Sequence, residues 1–283
     1  MKLLLIGIDG LRPDCLLHSN SVNIKTLLKK SVYTFDSKIS TQTISAPSWS
    51  CILSGKKENI TKVFSNNDVE KDDFVWKSNN IFKKLNKKNI KNTSVVSDWN
   101  GMKNIVQDCN NPIFIKKKSI NLSDKLSINE TIERYNNTKD NEFIFLYIGS
   151  IDTIGHKTGF SIDSNDYINQ IEYIDKLLGD LIKKYKNWNI IITTDHGGYN
   201  YHDLDTKTKT KFMNVYGKKN NFKDLGFHHI EKNQSKRAFQ IYYGKELKQT
   251  VCECKEILNT IESKDIYKII MNLFGLVLNN LKI

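Results

Sequence analysis

The sequence predicts an α/β fold: a central, mainly parallel sheet flanked by helices. Three observations carry that prediction. Short apolar runs bounded by turn residues recur along the chain, as strands covered on both faces require. Between them lie stretches with apolar residues at i, i+3 and i+4, the period of a helix resting one face on a core. Strand and helix patterns alternate without an internal repeat and without a linker, so residues 1–283 read as one domain.

The first strand is Leu3 to Ile8. Its lysine-plus-leucine start resembles a leader peptide. The run is too short for one, however, and ends in Asp9-Gly10 rather than a small-residue cleavage site. An apolar helix opens near Ser45 and closes at Ser54-Gly55, and a second amphipathic helix covers Ile81 to Leu85. Further strands are Ser94 to Val96 with its flanks, Phe143 to Ile148, and Ile190 to Thr194. The clearest helix runs from Asn165 to Tyr185, where Ile168, Ile171, Ile174, Leu177, Leu178, Leu181 and Ile182 keep one face. Ile266 to Leu273 forms another. The Lys/Asn-rich stretches 56–72 and 116–140 are expected to be surface elaborations.

Composition narrows the function classes. At 39% hydrophobic and 26% charged, the chain is neither disordered nor, lacking a bilayer-length apolar run, a membrane protein. A net charge of +12 points toward phosphate-bearing partners. Yet only Arg12, Arg134 and Arg237 among 43 basic residues are arginines. Nucleic-acid readers favour the bidentate arginine fork, so lysine-rich composition bias is preferred and no specific nucleic-acid partner is expected. The cysteines, Cys15, Cys51, Cys109, Cys252 and Cys254, are odd in number and lack zinc-finger spacing. They read as reduced thiols of a cytoplasmic chain.

The chemistry lies where strands end, the edge at which such sheets bind ligands. Asp9 closes the first strand; a carboxylate there needs a cation or donors, or else caps the next helix. Asp152-Thr153-Ile154-Gly155-His156 follows the strand ending at Ile148. Its acid and imidazole, with a glycine to turn the chain back, can reach one metal ion. Asp195-His196-Gly197 follows Ile190 to Thr194, and in a tight strand-to-loop turn its acid and imidazole can both face one cation. In Thr43-Ile44-Ser45-Ala46-Pro47-Ser48-Trp49, a hydroxyl two residues before proline sits at a helix N-terminus. That end favours an incoming anion, unless Ser45 is merely the cap.

The order Asp9, Ser45-x-Pro47, Asp152-x-x-Gly155-His156, Asp195-His196-Gly197 resembles the alkaline phosphatase superfamily. It is most similar to the type I phosphodiesterase/nucleotide pyrophosphatase branch and to bacterial relatives such as phosphonoacetate hydrolase. The similarity runs from residue 1 to about 278. It implies an alkaline-phosphatase-like sheet with a small cap, and a two-metal hydrolase of phosphodiester or phosphoanhydride bonds. Ser45 would be the nucleophile, with Thr43 as alternative, and a phosphorylated serine the intermediate. Asp9, Ser45, Asp195 and His196 would serve one metal; Asp152, His156 and a later histidine would serve the other. Gly226-Phe227-His228 stands some sixteen residues before the glycine of Phe239-Gln-Ile-Tyr-Tyr-Gly244, as in relatives, which selects His228 over His202 and His229. Tyr199 to Leu225 would then be an insertion. Asn66, with Asn67 beside it, matches the family's phosphoryl-binding Asn, although Thr61-Lys62 replaces the usual His-Gly ahead of it. Mixed imidazole and carboxylate ligands suit Zn²⁺, with Mn²⁺ or Fe²⁺ also fitting. The expected substrate is a small phosphorylated molecule such as a nucleotide or phosphodiester. Three alternatives stay open: a phosphomonoesterase or phosphonate hydrolase, a sulfatase (Trp49 stands where an arginine is expected), and a non-catalytic binder.

Overall fold

The structure, a computed structural model, describes residues 1–71, 74, 79–116, 118–135, 142–210, 225–228, 233–253 and 261–276. Its strands are β1 (Lys2–Ile8), β2 (Val32–Lys38), β3 (Asn92–Ser97), β4 (Asn111–Phe114), β5 (Glu142–Ile148), β6 (Asn189–Thr193), β7 (Tyr199–Asn200), β8 (Gly226–Phe227) and β9 (Arg237–Tyr243). Seven form one sheet in the order β2-β9-β6-β1-β5-β3-β4. All neighbours are parallel except β9, which runs antiparallel to both β6 and β2. The central strand β1 pairs with β5 and β6, and Gly7 lies opposite both Tyr147 and Thr193. That register puts the ends of the three strands at one level, which is where Asp9, Asp152 and Asp195 follow.

The helices are α1 (Pro13–His18), α2 (Val22–Leu28), α3 (Ser45–Ser54), α4 (Glu58–Thr61), α5 (Asn66–Val69), α6 (Ile81–Lys87), α7 (Asn100–Ile105), α8 (Ile120–Tyr135), α9 (Ser150–Thr158), α10 (Asn165–Lys184), α11 (Asn233–Lys236), α12 (Lys245–Glu253) and α13 (Asp265–Leu273). Strand alternation sorts them into two layers. Leu3, Leu5, Phe143, Phe145, Tyr147 and Ile191 face α3, α6, α7, α12 and α13. Leu4, Ile6, Ile8, Ile144, Leu146 and Ile148 face α1, α2, α8, α9 and α10. Both faces are covered, so β1 and β5 are continuous apolar runs after their first residues, Lys2 and Glu142, rather than alternating. Among the described residues no helix is long and apolar enough to cross a membrane.

The expected strands and helices are present, with ends shifted by a residue or two. The sequence reading missed the outer strands β2 and β4, whose residues are half exposed and carry a weak apolar signal. It also misplaced two stretches. Within 116–140, α8 is a helix of the second layer, burying Ser123, Asp124, Ser127, Ile128 and Thr131. Its buried face is small and hydroxylated, Thr131 bonding back to the Ser127 carbonyl at 2.8 Å, so apolar periodicity could not reveal it. Within 56–72, Thr61, Val63 and Val69 are buried, and this segment brings Asn66 to the nucleophile loop. Of the expected insertion, Tyr199–Asn200 pairs with Gly226–Phe227 as a small ribbon; residues 211–224 lie outside the described set.

Candidate active site

Side chains on alternate positions of β1 and β5 explain how Asp9 is held. Asp9 continues the face of Leu3, Leu5 and Gly7, the face covered by α3. Gly7 leaves room for Trp49: a Cβ there would stand 2.4 Å from the indole Cη2. Trp49 Nε1–H and the Tyr147 hydroxyl both donate to Asp9 Oδ2, at 3.2 and 2.8 Å. Asp9 is therefore not a helix cap; α1 begins at Pro13 after Arg12.

Asp152 and His156 lie one turn apart on α9, so the helix itself puts them on one face. Gly155 does not turn the chain back, contrary to the sequence-based expectation. It is a helical residue whose missing side chain admits the Phe160 ring, which a Cβ there would meet at 2.3 Å, while the missing side chain of Gly226 admits the Gly155 carbonyl. Through that close approach the β7–β8 ribbon docks on α9, with the Leu225 N–H donating to the His156 carbonyl at 2.9 Å. His228, directly after β8, is carried into the site and is 2% exposed. Its ring stacks on His196 at 3.8 Å and lies 4.8 Å from that of His156. His202 is exposed on the turn Tyr201–Asp203, its ring against Tyr201. His229 lies outside the described residues.

Ser45 is the first residue of α3, after Ile44 in the cap position, so it is not the cap. Its hydroxyl lies 3.4 Å from His196 Nε2. The Thr43 hydroxyl instead donates to the His228 carbonyl. Asn66 Oδ1 accepts the Ala46 N–H at 2.9 Å, which brings Asn66 beside Ser45, whereas Asn67 is exposed.

The electrostatics of the cluster are incomplete without positive charge. His196, His156 and His228 each set Nδ1 against a backbone carbonyl, those of Gly197, Gly226 and Thr43, at 3.0, 2.9 and 2.5 Å. Those carbonyls can only accept, so the proton resides on Nδ1 and Nε2 presents a lone pair. The Nε2 atoms of His156 and His228 face each other at 3.0 Å. Asp9 Oδ1, Asp152 Oδ1 and Asp195 Oδ2 have no hydrogen-bond partner among the described residues and lie 3.3 to 3.6 Å from imidazole Nε2 atoms. Lone pairs of six groups thus converge, an arrangement that repels itself unless cations lie among them. Burial first, then the charge of Asp152, pushes the Asp9 carboxyl up to about 7. Burial and the charges of Asp9 and Asp152 push Asp195 well above the carboxylate range. Burial raises Asp152 too, but the charge of the imidazoles when protonated, His156 foremost, outweighs it and holds Asp152 below that range. Ligand atoms of Asp9, Asp195 and His196 lie within 4.8 Å of one another, as do those of Asp152, His196 and His228, so His196 stands between two groups.

Beside the cluster, Ser45, Asn66, Asp98, Trp99, Ile120, Tyr147, Gly149, Ser150, Asp152 and Thr153 line a cavity of about 140 Å³. Its aromatic wall is Trp99 against Tyr147, centroids 5.7 Å apart at 32°. Sequence reasoning missed Trp49, Tyr147 and Trp99. Trp49 is four residues after Ser45 on one helix, and Tyr147 shares the odd-numbered face of β5, so spacing held a signal for both.

Comparison with known proteins settles the family. The family model for "Type I phosphodiesterase / nucleotide pyrophosphatase" matches residues 3–267. The chain belongs to the type I phosphodiesterase/nucleotide pyrophosphatase family, within the alkaline phosphatase superfamily. Among curated relatives, bis(5'-adenosyl)-triphosphatase ENPP4 of Homo sapiens is 27% identical over 215 residues, 69% of this chain and 47% of the relative. That of Bos taurus is 26% identical over 216 residues, with the same two shares. The chain thus spans about half the length of the curated relatives it matches. Among solved structures, murine ectonucleotide pyrophosphatase/phosphodiesterase 5 superposes with a TM-score of 0.74 at 16% identity, covering 98% of this chain and 96% of that one. An inactive variant of the same murine protein in complex with AMP gives 0.73 at 18% identity and the same coverage. These structures share the mainly parallel sheet and flanking helices of this member of the family.

Proposed function

We propose that the chain hydrolyses phosphodiester or phosphoanhydride bonds of nucleotide-type substrates, with Ser45 as nucleophile at a two-cation site. The observation that carries this reading is the convergence of three partnerless carboxylate oxygens and three Nε2 lone pairs beside the Ser45 hydroxyl. In this reading Asp9, Asp195 and His196, with Ser45, hold one cation; Asp152, His156 and His228 hold the other. The donor set suits Zn²⁺, and also Mn²⁺ or Fe²⁺. When bound, such cations supply the positive charge that lowers the pKa of the serine hydroxyl and offsets charge developing on phosphoryl and leaving-group oxygens.

The chain's own residues do the rest. Ser45 Oγ, its proton released to solvent, attacks phosphorus as the bond to the leaving oxygen breaks and that oxygen departs with the electron pair. The nucleotidyl group stays esterified to Ser45 until water adds at phosphorus, freeing the nucleotide and restoring the serine hydroxyl. Asn66 uses Oδ1 on the Ala46 N–H, which leaves its amide hydrogens to donate to a phosphoryl oxygen. Trp99 and Tyr147 offer an aromatic surface for a base. The names of the relatives, a bis(5'-adenosyl)-triphosphatase and an AMP complex, support a nucleotide as the substrate. One domain over residues 1–283 and a cytoplasmic location belong to the same proposal. Cys15, Cys51 and Cys109 are buried free thiols, which suits a reducing compartment.

The test is hydrolysis of paired diester and monoester substrates by Zn²⁺-loaded protein. Diester turnover that falls at least about 10³-fold in Ser45→Ala, while bound Zn²⁺ is kept, is the expected result. Undiminished turnover in Ser45→Ala would overturn the proposal, and turnover of monoesters alone would point to the phosphatase alternative.

A further inference from the structure

Arg12 follows Asp9 by three residues, and its side chain is 12% exposed. Its Nε and Nη2 donate to the two carboxylate oxygens of Asp14, at 2.9 and 2.5 Å. The remaining Nη1 donates to the Phe160 carbonyl at 2.5 Å and lies 3.4 Å from that of Gly198. Phe160 stands just past α9, which carries Asp152 and His156. Gly198 stands just past Asp195 and His196. One guanidinium, itself carried by the segment that follows Asp9, therefore reaches the other two ligand-bearing loops.

Neighbouring contacts tighten the same junction. The Arg12 N–H donates to the Tyr167 hydroxyl at 3.0 Å, and that hydroxyl donates to the Gly10 carbonyl at 2.5 Å. The Gly10 N–H in turn reaches Asp195 Oδ1 at 3.2 Å. A Cβ on Gly197 would lie 3.1 Å from Arg12 Cγ, so the His196 loop runs along the arginine stem. The Phe160 ring stands edge-on to both His156 and His228. Asp14 engages the guanidinium charge, so Arg12 acts through its fixed fork of donors rather than as a cation offered to substrate.

We propose that Arg12 is a positioning residue that locks the Asp152/His156 loop to the Asp9 and Asp195/His196 loops, and so sets the separation of the two ligand groups. This rests on the two-cation reading above. Misplacing reacting groups by about 1 Å costs on the order of 10²-fold in rate. A lysine keeps the charge at position 12 but cannot span the three loops.

The experiment titrates the metal-free full chain with Zn²⁺ against a chromogenic chelator, for wild type, Arg12→Lys, Arg12→Gln and Asp14→Asn. The Tm of each metal-free protein is recorded, with kcat and KM on bis(p-nitrophenyl) phosphate. Wild type is expected to take up two equivalents. The Arg12 variants should keep one tight equivalent and bind the second about 10- to 100-fold more weakly. Their kcat should drop by about 10²-fold with KM little changed. Asp14→Asn should move both quantities in the same direction by less, and carries the test with Arg12→Lys if the glutamine variant does not fold. Wild-type affinity at both sites in the Arg12 variants would overturn the proposal. So would a parallel weakening of both sites that tracks a lower metal-free Tm, since that is general loosening. Fewer than two equivalents on wild type would instead strike the two-cation reading beneath it.

Discussion

Trp49 and Tyr147 hold one oxygen of Asp9 and leave the other turned toward His196. Orientation of this kind commonly tunes the metal affinity that direct ligation provides. Tyr147→Phe removes a hydrogen bond without changing the ring, so Zn²⁺ affinity at the Asp9 group should weaken by about 10- to 100-fold in a chelator competition. The Tyr147 hydroxyl itself stays protonated, because burial and then the charges of Asp9 and Asp195 raise its pKa far above the ordinary 10. Asn66→Ala should lower kcat on a diester by about 10²-fold while leaving Zn²⁺ stoichiometry intact, which separates phosphoryl binding from metal binding. At this scale much was legible in the sequence. Asp9, Ser45, Asn66, Asp152, His156, Asp195, His196 and His228 are brought together, the three acid motifs because each follows a strand end, whereas the alternative His202 is turned away on an exposed turn. The orienting partners were not legible. Trp49 reads as an apolar helix residue, and the carbonyls of Thr43, Gly197 and Gly226 carry no side-chain signal at all.

Elements, not loops alone, fix the geometry. The three parallel strands β1, β5 and β6 end level, and α3 and α9 start from that edge with Ser45 and Asp152 in their first turns. Gly7 is where this packing is least forgiving. Gly7→Ala would place a methyl group within 2.8 Å of both Trp49 and Phe145, so overpacking should cost about 1–3 kcal/mol in a urea titration and loosen Asp9 through Trp49. The thiols report burial of other elements. Burial pushes Cys15 and Cys51 up to about 12 and Cys109 up to about 11, from an ordinary 9. The unfolded chain would therefore ionise first. The contribution of these thiols to stability is whole below pH 9 and is lost as pH rises from 9 through those values. At pH 8, a charged thiol reagent should label exposed Cys252 and leave Cys15, Cys51 and Cys109 until the protein is unfolded. Strong apolar periods made β1, β5, β6 and α10 readable. The half-exposed strands β2 and β4 and the hydroxylated face of α8 were not, since periodicity arguments register hydrophobicity alone.

Over the whole molecule, the charge of +12 acquires a narrower meaning. The cluster gathers three carboxylates, the buried Asp9 and Asp195 and the half-buried Asp152, at the place where the proposed phosphate substrate would arrive. Cations at that point, rather than the lysine-rich surface, would then attract the substrate. Raising ionic strength screens the exposed lysines over about 10 Å and less, so kcat/KM, which reports substrate capture, should change little between low and moderate salt. The central claim is that Ser45 carries the phosphoryl group. Rapid-quench mass spectrometry of the Zn²⁺-loaded protein mixed with a nucleotide diester tests it most directly. The account predicts a nucleotidyl adduct on the Ser45 peptide that forms and decays at the rate of turnover and is absent in Ser45→Ala. Turnover without any adduct, and undiminished in Ser45→Ala, would contradict it.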